Sequence, residues 1–174
     1  LVTWVSAPTG VSTSTIYDIT FANGIFLAAG QGGVAQLHTS TNGTTWNSHG
    51  TGVNTDVWGI VNTPNSLVIA ANNGAIKTST DATTWTARES NTYSAIRVLH
   101  FNGTQYLYGG VGGVLATSTD AISWTARTFG VTNTIRSVVF AGGQYVVGTV
   151  GGLIRTSPDL SLIHISEPTR PRLI

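Results

Sequence analysis

With 174 residues, 41% of them hydrophobic, the chain is long enough to build a domain around its own core. Only 9% is charged and the net charge is +1, which excludes the basic footprint of a nucleic-acid-binding surface. No apolar run approaches the roughly 20 residues of a membrane-spanning helix, and with no Cys there is neither a disulfide framework nor thiolate chemistry.

Val, Ile, Thr and the aromatic residues favour strands, and Gly and Asn clusters punctuate them with turns, so the reading is all-β. In the first unit a strand over 16–21 is followed by the tight turn Ala22-Asn23-Gly24 and a strand over 25–29. Gly30-Gln31-Gly32-Gly33 breaks the run, and a third strand leads to Thr39-Ser40-Thr41-Asn42-Gly43-Thr44-Thr45-Trp46. The second unit repeats the plan with apolar runs over 57–61, 66–71 and 75–78, ending in Thr78-Ser79-Thr80-Asp81-Ala82-Thr83-Thr84-Trp85. The third has runs over 96–101, 105–109 and 114–117, ending in Thr117-Ser118-Thr119-Asp120-Ala121-Ile122-Ser123-Trp124. A fourth, over 135–140, 144–148 and 153–156, reaches Thr156-Ser157-Pro158-Asp159, but Ile163 stands where the next Trp belongs.

Trp46, Trp85 and Trp124 are spaced 39 residues apart. A fixed period near 40 residues with four short strands per unit, the last beginning at the Trp, predicts a β-propeller of four-stranded antiparallel blades. About four blades are expected over residues 1–160, as a fragment of a larger propeller. The rows Ile19, Ile60, Leu99, Val138 and Ile16, Val57, Ile96, Ile135 are expected on opposite faces of the first strands, each covered by a neighbouring blade. Residues 161–174 have no relation to the repeat and resemble a translated sequencing-adapter read-through; they are set aside as a non-native tail.

In the recurring Ser-x-Asp turn the Asp or Asn carboxyl or amide oxygen accepts backbone N–H bonds two or three residues on, and the Ser hydroxyl does the same. The Trp packs on the sheet. Recurrence at one period makes Ser40, Asn42, Trp46, Ser79, Asp81, Trp85, Ser118, Asp120, Trp124, Ser157 and Asp159 blade fasteners rather than a catalytic set.

These turns resemble the Asp-box, or bacterial neuraminidase repeat, whose pattern is Ser-x-Asp-x-Gly-x-Thr-Trp in the sialidase-like superfamily. The copies here are one residue shorter, carry Asn42 for Asp in the first, and place Ala82 and Ala121 near the usual Gly. The resemblance implies a box at the turn between the third and fourth strands, on the face away from the usual ligand site. It is shared by sialidases, other glycosidases, receptor ectodomains and photosystem assembly factors.

A sialidase-like site needs three Arg, a Tyr/Glu pair and an acid Asp. Arg88 and Arg127, and Arg97 and Arg136, are instead repeat partners 39 apart, and three of the six acidic residues before the tail (Asp81, Asp120, Asp159) are box residues. His38, His49 and His100 lack metal-ligand spacing. No catalytic residue, metal or cofactor is therefore assigned. The loops at 47–55, 86–94 and 125–134 and the turns at 30–33, 71–73, 110–112 and 149–151 are expected to build one face. Near it stand Tyr17, Trp58, Arg97 and Arg136, an equivalent row that changes identity from unit to unit. Two readings stay open: the row lines a ligand mouth, with aromatic stacking and Arg pairing to acidic groups, or it caps the blade interface with Arg stems over apolar neighbours.

The expected function is a recognition or scaffold module that binds a glycan or protein through the face opposite the boxes. A fragment of a sialidase-like glycoside hydrolase is the alternative, and an assembly-factor-like scaffold is a third. Low charge with abundant Thr, Ser, Asn and Gly leans toward a secreted or cell-surface protein of bacterial or phage-like type. An open blade edge near residues 153–157 is expected to favour self-association.

Overall fold

The computed structural model describes Thr3, Ser6, residues 15–32 and residues 37–160; the expectations for Ile163 and for the 161–174 tail lie outside the described residues. Each unit folds into its own antiparallel sheet. The first orders β1 (Ile16–Ala22), β2 (Ile25–Gly30), β3 (Leu37–Ser40) and β4 (Asn47–His49) side by side. The second does so with β5 (Val57–Thr63), β6 (Ser66–Ala71), β7 (Ile76–Ser79) and β8 (Thr86–Arg88). The third contains β9 (Ile96–Phe101), β10 (Tyr106–Gly110), β11 (Leu115–Ser118) and β12 (Thr125–Ala126). Among the described residues the fourth sheet has three strands, β13 (Ile135–Ala141), β14 (Gln144–Thr149) and β15 (Ile154–Ser157).

Alternation along the second strand of each sheet supplies apolar groups to both faces. In β6, Leu67, Ile69 and Ala71 enter a core shared with Leu27, Ala29 and Leu37 of the first sheet. Val68 and Ala70 enter a different core, shared with Ile96, Leu99, Tyr106 and Tyr108 of the third. A further core joins Leu107 and Leu115 to Ile135, Tyr145 and Val147. The cores therefore lie between sheets, and the first strands pack in the series β1, β5, β9, β13; no comparable packing joins β13 back to β1.

One expectation is corrected. Val57 and Ile60 enter the same core, as do Ile96 and Leu99, and Ile135 and Val138, so the two apolar rows share a face. Three positions along a regular strand would reverse the side chain, but each first strand carries a β-bulge. Val57 pairs with Ala71 and Gly59 with Ala70, leaving Trp58 as the extra residue, and the shifts at Ile16/Asp18, Ile96/Val98 and Ile135/Ser137 are equivalent. A bulge sets two residues against one and returns the row to its original face.

Candidate functional site

The four bulges have a second consequence. Their extra residues are Tyr17, Trp58, Arg97 and Arg136, the row singled out in the sequence, and the structure brings all four together. The Tyr17 and Trp58 rings stack at 3.8 Å between centroids with 17° between planes. The Arg97 guanidinium carbon lies 3.9 Å from the Trp58 centroid and that of Arg136 5.6 Å from it. Two groups this close to one ring occupy its two faces, so Trp58 is sandwiched between Tyr17 and Arg97. Its Nε1 donates to Asn72 Oδ1 at 3.1 Å, which ties the column to the turn after β6. That turn end also meets the loop entering β5, since Gly32 N–H donates to Asp56 Oδ1 at 2.7 Å and Asn72 N–H to the Asp56 carbonyl at 3.1 Å.

The electrostatics of the column are unbalanced. Burial lowers the Arg97 pKa, the neighbouring Arg136 lowers it further, and Asp56 and Tyr17 oppose this. Arg97 Nε and Nη1 are buried without a hydrogen-bond partner, and Arg136 is exposed. Asp18, the next residue inward from Tyr17, is committed elsewhere: Oδ1 accepts from Ile19 N–H and Oδ2 from Ile60 N–H, both at 2.9 Å, and burial raises its pKa. It pins the first sheet to the second, a role with no motif to announce it in the sequence. A groove of about 290 Å³ continues from there along Ile60, Asn62, Leu99 and His100. His100 Nε2 is buried without a partner, and burial lowers the pKa of this imidazole.

The boxes lie at the opposite end of each sheet. Ser79 Oγ accepts from Asp81 N–H at 3.1 Å and Ala82 N–H at 3.0 Å, while Asp81 Oδ1 accepts from Thr83 N–H at 2.8 Å and Thr84 N–H at 2.7 Å. Ser118 and Asp120 repeat this with Ala121, Ile122 and Ser123, and Ser40 and Asn42 repeat it with Gly43, Thr44 and Thr45. In the fourth copy Leu160 N–H donates to Ser157 Oγ at 2.8 Å, and Asp159 stands two residues after that Ser. The residue after the Asp or Asn is left-handed throughout, with φ of 73° at Gly43, 61° at Ala82, 59° at Ala121 and 61° at Leu160. Ala82, Ala121 and Leu160 each bury their side chain in an inter-sheet core, and that packing offsets the strain of a left-handed non-Gly residue. Trp46 Nε1 and Trp85 Nε1 donate to the carbonyls of Gly43 and Ala82 at 3.2 Å, closing the turn. Trp124 is more deeply buried, beside Tyr106 and Tyr108, and its Nε1 has no partner.

Backbone N–H bonds hold the Asp81 and Asp120 carboxyls below the usual carboxylate range. A depressed folded-state pKa contributes stability that is complete above the unfolded value and is lost as pH falls through the folded one. Asn42 makes the same two bonds without titrating. The Asp81→Asn/Asp120→Asn double variant should therefore match the parent at neutral pH and lose less stability below about pH 4, measured as urea midpoints across an acid titration. Identical acid profiles would show that these carboxylates do not contribute.

The box end also holds clefts that the sequence reading did not anticipate. One of about 760 Å³ is lined by Thr63–Ser66, Thr78–Thr80, Arg88, Tyr106 and Asp120, and another of about 470 Å³ by Thr39–Asn42, His49 and Asp81. The strand-connecting turns at this end are rich in hydroxyls, which was the available signal. Among the described residues no group of three or more His, Cys, Asp or Glu is placed to hold a metal.

No protein-family model matches the sequence, and no curated protein matches it. Solved structures do. The computationally designed Ika4 protein superposes with a TM-score of 0.71 at 17% identity, over 89% of this chain and 98% of its own. YCF48 bound to D1 peptide gives 0.69 at 17% identity, over 89% of this chain and 52% of its own. The fold is a β-propeller. The extracellular domain of the putative hybrid two-component system BT4673 from B. thetaiotaomicron matches at 0.66 and 18% identity, over 84% of this chain and 20% of its own. The propeller arc seen here thus spans about half the length of YCF48. At these identities the likeness is one of fold. No helix among the described residues is long and apolar enough to cross a membrane.

Proposed function

We propose that this propeller arc is a recognition module of Asp-box type, secreted or displayed at a cell surface, that binds an acidic segment of a partner protein at the Tyr17–Trp58–Arg97–Arg136 column. The observation that carries this reading is the pair of guanidiniums set side by side on Trp58, with no carboxylate of the described residues paired to either. Two like charges in a partly buried site repel, and a carboxylate arriving from outside relieves that repulsion as well as pairing with Arg136. The same geometry argues against a sugar stacking on Trp58, because both faces of the indole are already covered by Tyr17 and Arg97. The superposition with YCF48, a protein solved with a bound peptide, supports a peptide partner over a glycan. The Asp-boxes serve in this reading as fasteners at the far end.

Fluorescently labelled peptides ending in two or three acidic residues, titrated against the chain at low and high salt, provide the test. Binding should weaken with salt, and Arg136→Gln, at an exposed position, should weaken it about tenfold without lowering thermal stability, since it also removes the repulsion on Arg97. Binding that survives this substitution, or binding of neutral glycans in place of acidic peptides, would overturn the proposal.

A further inference from the structure

The two clefts at the box end are built to one plan. Each lies between consecutive blades, and each sets a nitrogen-bearing side chain from the fourth strand of one blade beside the box carboxylate of the next. In the larger cleft the pair is Arg88 of β8 and Asp120; in the smaller it is His49 of β4 and Asp81. The nitrogen group is anchored alike in three blades, ten residues after a Thr whose hydroxyl it meets. Arg88 Nε donates to Thr78 Oγ1 at 2.9 Å, Arg127 Nε donates to Thr117 Oγ1 at 2.9 Å, and His49 Nε2 lies 2.8 Å from Thr39 Oγ1.

Anchoring through Nε holds the Arg88 guanidinium while leaving its outer nitrogens unengaged among the described residues. The Asp120 carboxylate is divided in a similar way. Its Oδ1 accepts from Ile122 N–H, Ser123 N–H and the Ser118 hydroxyl, all at 2.8 Å, whereas nothing among the described residues donates to Oδ2. Asp81 repeats this, with the Ser79 hydroxyl donating to Oδ1 at 3.0 Å beside the two backbone bonds. No ion pair joins Arg88 to Asp120. One cleft therefore holds a fixed donor and a fixed acceptor that do not satisfy each other, and their orientation is set before any ligand arrives.

The rest of the lining narrows the kind of ligand. Phe101 is half-buried with its ring 4.4 Å from that of Tyr106, Ile122 is 47% exposed, and Thr80, Thr86 and Thr104 add hydroxyls. One positive and one negative group cancel, so the cleft selects for neither an acidic nor a basic ligand. A sugar ring suits it: C–H groups on its face lie against an aromatic wall, and hydroxyls at its rim both donate and accept. An extended peptide suits it less, because the free polar groups here belong to side chains and offer no backbone ladder. The volume of about 760 Å³ is that of a small-ligand site. We infer that the clefts between blades at the box end are a second binding site, for neutral oligosaccharides. In the larger, Asp120 Oδ2 accepts from one sugar hydroxyl and the Arg88 outer nitrogens donate to another; Asp81 and His49 serve the smaller. The box Asp then has two tasks, one oxygen closing the turn and the other facing the ligand. Asn42 performs only the first.

That division supplies the test. Asn42 shows that Asn holds the box, so Asp120→Asn keeps the turn and replaces the outward acceptor with a donor. Arg88→Gln places an amide nitrogen where Nε stood and removes the outer nitrogens. Neutral gluco-, galacto- and manno-oligosaccharides of two to six units are titrated into the parent chain and both variants by calorimetry at neutral pH. At least one series should bind, with affinity lowered about tenfold or more by each substitution and the melting temperature of Asp120→Asn unchanged. Absence of binding by every series at millimolar concentration would refute the inference. So would binding that both variants leave intact; its loss in Arg136→Gln would then place the sugar at the column instead.

Discussion

Replacing Gly113 by Ala should cost about 3–5 kcal/mol, whereas Gly152→Ala should cost only about 1–2 kcal/mol, although the two glycines hold the same place in consecutive blades. Both are left-handed, with φ of 72° and 79°, so both substitutions pay the backbone strain of an L residue in that region. They differ in what surrounds them. A Cβ on Gly113 would collide with the Val131 carbonyl oxygen in the loop that enters the fourth blade, and a Cβ on Gly152 would meet nothing within 4 Å. Gly74 repeats the Gly113 situation against the Thr92 carbonyl oxygen. Main-chain oxygen cannot rotate away as a side chain would, so relief requires the blades to separate. Melting temperature is the readout. For a chain of this size 1 kcal/mol corresponds to roughly 2–4 °C, so Gly113→Ala should melt about 10 °C below the parent. Equal shifts for the two variants would show that the inter-blade contact yields and that backbone strain alone decides.

That contrast also shows how far the sequence could be read. The period of 39 between Trp85 and Trp124 specified strand number and turn placement because one supersecondary unit recurs and each copy is fastened by the same side-chain-to-backbone bonds. It could not reveal the bulge. Whether Trp58 sits in register or outside it depends on the hydrogen-bond ladder to β6, and the same string of residues is compatible with either. Without the bulge, Val57 and Ile60 had to be assigned to opposite faces; with it they share one. The identity of the column residues was legible because they vary where the neighbouring Ile positions do not. That they touch was not, since the contact spans four sheets and rests on each bulge turning its extra residue the same way. The Asp18 bridge and the hydroxyl-lined clefts were invisible for a related reason: they are made between blades, and period analysis describes one blade at a time.

Arg97→Met should separate stability from recognition. In the parent, Arg97 stacks on Trp58, which is favourable by about 0.5–1 kcal/mol. Against that stand two buried guanidinium nitrogens without partners and the neighbouring charge of Arg136. An unsatisfied buried donor costs about 1–3 kcal/mol. Met retains the length and much of the contact with the indole face while removing the donors and the charge. The variant should therefore unfold at higher urea, by about 1 kcal/mol, while binding to acidic peptides falls at least tenfold. Arg97→Lys makes the argument sharper. It keeps the charge and the repulsion but loses the planar stack, so it should be less stable than the parent and retain part of the binding. A column that merely caps the blades would behave differently: Met and Lys would both destabilise in proportion to lost packing, and neither would change a binding curve. Stability gained at the cost of ligand affinity is the signature of a charge held in place for something outside the chain.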